Sequence, residues 1–386
     1  MHNSPNSSGY KRIYTCTPVS FHANDGFFTR DSGLFCKTLL SMGIESKSIM
    51  PLPYYEDDQN EHLIRTSMSN LKSPAWWSSL NLDGVILYSW GQPQYTAIAK
   101  AIKKAGIRLS IHMDTSGSFD RVYPEEHTWW RAAAQFVKSS YLNIFRSRHL
   151  AYADVITIGL PAARAISKMR FMNDSVVRKH FPCPCPVHPS LQYNEHIAKE
   201  DIILGIGRWN DVGQKRPGFL IEALNQYYKN GGSAKVRILG KLHYSIEAWH
   251  ADLPEEIQSK IELIGPVPNE KLRKIYQTAK IILCTSRNES SHIVSGEGLC
   301  SGCSVVVTNR PEFLKVVAWY TTKNSGTISQ EDTPESFADA IKEELDKWEQ
   351  GLRKPKEIAS AWYPYFHADK VIEKIFPDFA AQTHMK

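Results

Sequence analysis

The sequence predicts an α/β protein made of two Rossmann-like domains with parallel sheets. Three observations carry that prediction: a length of 386 residues, a repeated rhythm of short apolar strand, turn and amphipathic helix, and a proline-rich break near the middle. A chain this long exceeds one ordinary core and suits two domains of common size. Strands that alternate with helices form parallel sheets covered on both faces.

In the first series, residues 11–15 read as a strand, followed by a loop containing His22 and Gly26. A helix over 31–42 stops at Gly43, a residue that tolerates the left-handed cap. DGVILY at 83–88 is a buried strand, 94–105 a helix ending at Gly106, and 107–112 the next strand. Residues 154–158 repeat the strand signal, and 161–169 follow as a helix. The second series opens at 201 with DIILGIGR. It continues through a helix at 218–229, strands at 235–239 and 261–264, a helix at 270–279, and strands at 280–284 and 304–308. Pro182, Pro184, Pro186 and Pro189 make 181–199 an interdomain linker, because proline cannot donate to a ladder and restricts its predecessor. The expected domains are 1–190, completed by a C-terminal helix within 362–386, and 191–361.

Composition narrows the function classes. A chain 42% hydrophobic and 22% charged is globular rather than disordered or fibrous. A net charge of +6 spread along the chain favours anionic ligands weakly and does not call for nucleic acid. No apolar run approaches the length of a membrane span, and seven cysteines at no framework spacing suit a reducing cytoplasm. Residues 129–149 have helical spacing with interleaved aromatic and basic residues. They read as a core-facing stripe with a solvated basic face, or as a peripheral contact on the inner membrane face. Cys300 and Cys303 invite a zinc or redox reading, but no second pair at ligand spacing accompanies them.

The chemistry concentrates in the run Ser286 to Cys303, SRNESSHIVSGEGLCSGC. Glu289 sits in a loop after a buried strand, Ser290 or Ser291 can cap the helix that follows, and Glu297 lies on that helix. A helix starting at the carboxyl edge of a parallel sheet points unpaired N–H groups at an anion. Gly207 and Arg208 follow the first strand of the second series, and Lys215 precedes a helix. Two cations at a strand-to-helix junction suit a diphosphate, Arg as a bidentate donor and Lys as a point charge.

Gly207-Arg208, Lys215, the run Ile264-Gly265-Pro266-Val267, and Glu289 and Glu297 separated by seven residues together resemble the family-4 retaining glycosyltransferases. Ser304 to Thr308 followed by Pro311-Glu312 continues the pattern. The resemblance covers about 201–347 well and the first domain loosely. It implies the GT-B fold, with two Rossmann-like domains facing a central cleft. It also implies transfer of a sugar from a nucleoside-diphosphate donor to a hydroxyl of a saccharide, lipid-linked saccharide or glycoconjugate, with retention and without a cofactor or metal. Arg208 and Lys215 then neutralise the diphosphate. Glu289 contacts the transferred sugar beside Ser291, His292 and Ile293, Glu297 holds the ribose, and Val267 lines the nucleotide. His112, with Asp114 beside it, resembles the histidine that approaches the donor sugar, and the loop around Gly26 resembles the one that approaches the phosphates. His292 stands where the family has glycine, adding a side chain where sugar and backbone meet. A nucleotide-sugar epimerase and a non-catalytic nucleotide-sugar-binding protein remain the alternatives.

Overall fold

The computed structural model describes residues 9–377 apart from 24, 57, 59, 90–92, 114–128, 159–178, 184 and 290. The chain forms two compact units, Met1–His188 with Ala368–Lys386, and Pro189–His367. The return to the first unit therefore starts at Ala368 rather than at 362. Helix Pro355–Phe366 stays with the second unit because Trp362 and Phe366 pack against Trp319 and Tyr320. The expected helix at 161–169 and Asp114 lie outside the described residues.

The first unit is a seven-stranded parallel sheet: β1 (Ile13–Cys16), β2 (Ser48–Pro51), β3 (Leu63–Thr66), β4 (Gly84–Tyr88), β5 (Arg108–Met113), β6 (Val155–Ile158) and β7 (His180–Pro182). Its order is β3-β2-β1-β4-β5-β6-β7. Alternation within the apolar runs feeds two cores, since successive side chains in a strand point to opposite faces. Val85, Leu87, Leu109 and Ile111 pack with Ile98 and Ile102 of helix Pro93–Lys104. Ile13 and Ile86 instead meet Leu34 and Phe35 of helix Asp31–Ser41 and Val371 and Ile372 of helix Ala368–Ile375. Phe181, expected as linker, lies in β7, whose partner is β6. Pro182 is tolerated there because β7 is an edge strand, where a missing N–H breaks no outer ladder.

Helix Trp129–Ala151 covers the aromatic and basic segment. His149 and Leu150 are buried, whereas Trp129, Trp130, Val137 and Tyr141 are exposed. The core-facing stripe is thus seen in the last turn, Ile144 and Phe145 are half-buried, and the exposed aromatic and apolar side chains lie nearer the start of the helix. Among the described residues, no helix is long and apolar enough to cross a membrane.

The second unit is a six-stranded parallel sheet: β8 (Glu200–Ile206), β9 (Lys235–Leu239), β10 (Ile261–Gly265), β11 (Ala279–Cys284), β12 (Ser304–Val307) and β13 (Gly326–Ile328). The order β10-β9-β8-β11-β12-β13 reverses direction between β8 and β11. In open α/β sheets the crevice outside the carboxyl ends at such a switch point is where ligands bind. One face of this sheet packs Ile203, Val236, Ile281 and Val306 against Leu220 and Leu224 of helix Pro217–Lys229 and Ile341 of helix Pro334–Glu349. On the other face lies helix Ile293–Cys300. Two glycines let that helix approach closely. A Cβ on Gly298 would fall 2.4 Å from Ile282, and one on Gly296 would fall 2.6 Å from the Phe366 ring.

Candidate functional site

Apart from Val267, the predicted residues of the second unit follow the two strands that flank the switch point. Gly207 and Arg208 come directly after β8, and Lys215 ends the short helix Val212–Lys215. Glu289 lies in the loop after β11. Lys215 and Glu289 form an ion pair, with side chains only 11% and 7% exposed. Gln214 Nε2 donates to the other carboxylate oxygen of Glu289 at 2.7 Å and to the Asn288 carbonyl at 3.1 Å. The Ser286 hydroxyl donates to Glu289 at 2.8 Å. Glu289 is therefore held by three donors, two from the short helix Val212–Lys215 and one from its own loop. Gln214 and Ser286 were not singled out in the sequence, and nothing short of their spatial pairing would have marked them.

The backbone around Lys215 is held as firmly as its side chain. Thr285 Oγ1 donates to the Lys215 carbonyl at 3.0 Å, and the Arg287 N–H donates to the Gln214 carbonyl at 2.8 Å. Arg216, the next residue, adopts the left-handed region at φ 58°, ψ 59°. That conformation costs a non-glycine residue about 1–2 kcal/mol. Arg216 is anchored by Asp332 at 2.6 Å and by the Phe219 ring, 3.9 Å from its guanidinium to the centroid. Arg208 is by contrast 72% exposed, with Nη2 3.5 Å from Gln214 Oε1. One glutamine thus touches both the exposed cation and the carboxylate.

Helix Ile293–Cys300 starts later than expected. Its N-cap is His292, whose side chain caps nothing, and Ser290 lies outside the described residues. Ser291 Oγ is buried without a hydrogen-bond partner among the described residues. His292, expected to add a side chain at the sugar, turns inward instead. It is 5% exposed, its Nδ1 lies 2.6 Å from Ser295 Oγ, and its ring meets Phe313 edge-on at 5.2 Å. Burial, aided by the charge of Lys215, holds this imidazole well below its usual pKa. Ile293 is the first helical residue, and Glu297 lies on the second turn. Tyr276 donates to Glu297 Oε2 at 2.6 Å. Burial pushes the Glu297 carboxyl up to about 7, against the pull of that hydrogen bond. Val267 is half-buried in the turn between β10 and helix Asn269–Thr278.

In the first unit, His112 is fully buried on β5. Its ring stacks on Tyr88 at 4.7 Å and meets Phe35 edge-on at 5.5 Å. Its Nδ1 lies 2.8 Å from Thr157 Oγ1, which also lies 3.5 Å from the Ile111 carbonyl. Burial drives the imidazole pKa down to about 3. The ring is neutral, and its Nε2 has no hydrogen-bond partner among the described residues. Gly26 is exposed in the short helix Asp25–Phe28, where its carbonyl accepts from Thr29 Oγ1 at 2.9 Å.

No group of three His, Cys, Asp or Glu among the described residues could hold a metal ion. All seven cysteines are buried and none forms a disulfide.

Two parallel α/β units with a switch-point site in the second define a GT-B architecture. Residues 200–347 match the family described as Glycosyl transferases group 1, so the resemblance read from the motifs stands for the second domain. No curated protein matches the chain. Similar solved structures span it nearly end to end. A glycosyltransferase from Rickettsia africae is 14% identical, covering 96% of this chain and 98% of that one, with a TM-score of 0.63. The lipopolysaccharide outer core galactosyltransferase WaaB, apo form, is 15% identical, covering 96% and 99%, with a TM-score of 0.59. Anabaena Alr3699/HepE in complex with UDP-glucose is 10% identical, covering 97% and 100%, with a TM-score of 0.59. At these identities the likeness is one of fold.

Proposed function

We propose that this protein is a retaining glycosyltransferase that moves a sugar from a nucleoside-diphosphate donor to a hydroxyl acceptor, in polysaccharide or glycoconjugate synthesis, without a metal ion. The observation that carries the reading is the Lys215–Glu289 pair at the switch point, braced by Gln214 and Ser286. An ammonium has three donors, so Lys215 can keep one on Glu289 and turn the others to a phosphate. Arg208 is exposed beside it as a second cation, and helix Ile293–Cys300 offers its positive end. Together these groups would stabilise the charge that builds on a departing diphosphate.

Glu289 is the donor-positioning residue in this reading, and the buried Ser291 Oγ has hydrogen-bonding capacity to spare for a sugar hydroxyl. Glu297 takes the ribose, and Val267 and Ile293 flank the nucleotide. His112 would contribute a neutral Nε2, which accepts a hydrogen bond from a hydroxyl without presenting a charge. The departing phosphate itself would assist the acceptor hydroxyl, so no protein nucleophile is assigned. Since Alr3699/HepE is described with UDP-glucose, UDP-sugars are the first donors to try.

The test is a donor panel of UDP-, GDP- and ADP-sugars with saccharide and lipid-linked acceptors, read by nucleotide release and by NMR of the product anomer. Acceptor-dependent release with retained configuration, unchanged by EDTA, supports the proposal. Donor conversion without an acceptor indicates an epimerase, and binding without turnover indicates a sensor. The helix Trp129–Ala151 has no acidic residue and exposes Trp129, Val137 and Tyr141, which supports a peripheral contact with anionic lipid on the cytoplasmic face. Flotation with phosphatidylglycerol vesicles, against phosphatidylcholine vesicles, tests that contact.

A further inference from the structure

Glu297 has one carboxylate oxygen engaged and one not. Oε2 accepts from the Tyr276 hydroxyl at 2.6 Å, whereas Oε1 makes no hydrogen bond to any described residue. Tyr276 is fully buried near the end of helix Asn269–Thr278. It is fixed at both ends, because its carbonyl accepts from Lys199 Nζ at 2.8 Å and from Cys303 Sγ at 3.2 Å. Burial and the adjacent carboxylate hold the phenol well above its usual pKa, so the hydroxyl remains a donor at every working pH.

We propose that Tyr276 is a positioning residue for nucleotide recognition, its hydroxyl fixing Oε2 of Glu297 so that Oε1 is presented as the acceptor for ribose hydroxyls. This inference rests on the reading of Glu297 as the ribose residue and adds what makes that residue competent. An ionised carboxylate is an acceptor at both oxygens, whereas the neutral acid carries a donor hydroxyl on one of them. Desolvation of the partly buried Glu297 carboxyl draws it toward its neutral form, and the Tyr276 hydroxyl counters that. The other titratable groups around Tyr276 are Lys199 and Cys303 at its carbonyl and Cys284 at the end of β11. None of them hydrogen-bonds to the Glu297 carboxyl, so the phenol is its one protein donor among the described residues.

The experiment is calorimetric titration of the full chain with UDP, GDP and ADP between pH 6 and 9, for wild type, Tyr276→Phe and Glu297→Gln. For wild type, affinity for the preferred nucleotide should rise through about pH 7 and then level off. Tyr276→Phe keeps the buried ring and removes one hydroxyl. It should bind about tenfold more weakly at pH 7, the scale of one hydrogen bond to a charged group. Its transition should shift to higher pH, with affinity recovering toward wild type at pH 9. Glu297→Gln should show no such transition. Carboxyl-carbon NMR of wild type reads the Glu297 titration without any substitution, and saturating nucleotide should lower its midpoint.

Wild-type affinity and midpoint in Tyr276→Phe would overturn the proposal. So would an equal loss at all pH values with an unmoved midpoint, which is the mark of a packing defect. Absence of nucleoside diphosphate binding by wild type overturns instead the reading of Glu297 on which the proposal rests.

Discussion

Lys215 and Glu289, 74 positions apart in sequence, meet as an ion pair that is almost closed to solvent. Removing one partner of such a pair strands the other, and Gln214 and Ser286 would then hold a carboxylate with no cation, or none at all.

Glu289→Ala should separate binding from transfer. Turnover should fall by roughly 10²–10³, the scale of losing one placed group at a site of charge development. Affinity for a nucleoside diphosphate should stay within about threefold, because Lys215 is freed rather than lost. Steady-state kinetics and calorimetry read the two separately, and equal loss of both in a folded protein would remove Glu289 from the sugar.

Arg216 offers a test of backbone strain beside the site. Arg216→Ala loses the Asp332 pair and keeps a side chain at positive φ, whereas Arg216→Gly loses the same pair and relieves the strain. The glycine variant should be more stable by about 1 kcal/mol, a difference of a few degrees in Tm. Equal melting temperatures would mean that the left-handed turn carries no strain.

Acid should destabilise the first domain. His112 and His149 are buried with pKa values lowered to about 3 and about 4, against about 6.5 when unfolded. The unfolded chain binds more protons across that window. The stability these groups contribute is complete above about pH 6.5 and is lost as pH falls through the folded values. Glu297 works with the opposite sign, since its folded pKa of about 7 lies above the unfolded one. Its contribution fades as pH rises from about 4.5 to 7. Melting curves from pH 8 to 5 should therefore show a shallower acid decline in His112→Asn, His149→Asn than in wild type. Parallel curves would place the proton uptake elsewhere.

Arg353 is a control away from the chemistry. Its guanidinium and the Glu344 carboxylate are 2% and 0% exposed, with Thr327 also donating to Glu344. Arg353→Met should destabilise the protein by about 3–5 kcal/mol and leave kcat of the surviving folded enzyme unchanged. Loss of kcat at full stability would show that this pair reaches the site.

The fold was legible where strands are apolar runs, because burial on both faces leaves a continuous signal. KVRIL at Lys235–Leu239 and GVILY at Gly84–Tyr88 are of that kind. SIMP, LIRT, HFP and GTI escaped because they are three or four residues long and interrupted by proline or polar groups. They are strands only because a neighbour supplies the ladder. In the site, the residue types and order of Arg208, Lys215, Glu289 and Glu297 were readable. The inward turn of His292 was not, since it depends on the space between Ser295 and Phe313. Nor were Gln214 and Tyr276, whose roles come from contacts spanning 75 and 21 positions.

Calorimetric titration of wild type, Arg208→Gln and Lys215→Met with UDP and UMP, repeated for the guanosine and adenosine pairs, tests most directly whether the second domain grips a diphosphate. Wild type should prefer the diphosphate of one base over its monophosphate by at least about tenfold, and each substitution should erase that preference. Wild-type binding that ignores the second phosphate, or variants that retain the preference in full, would contradict the assignment of Arg208 and Lys215 and with it the donor site.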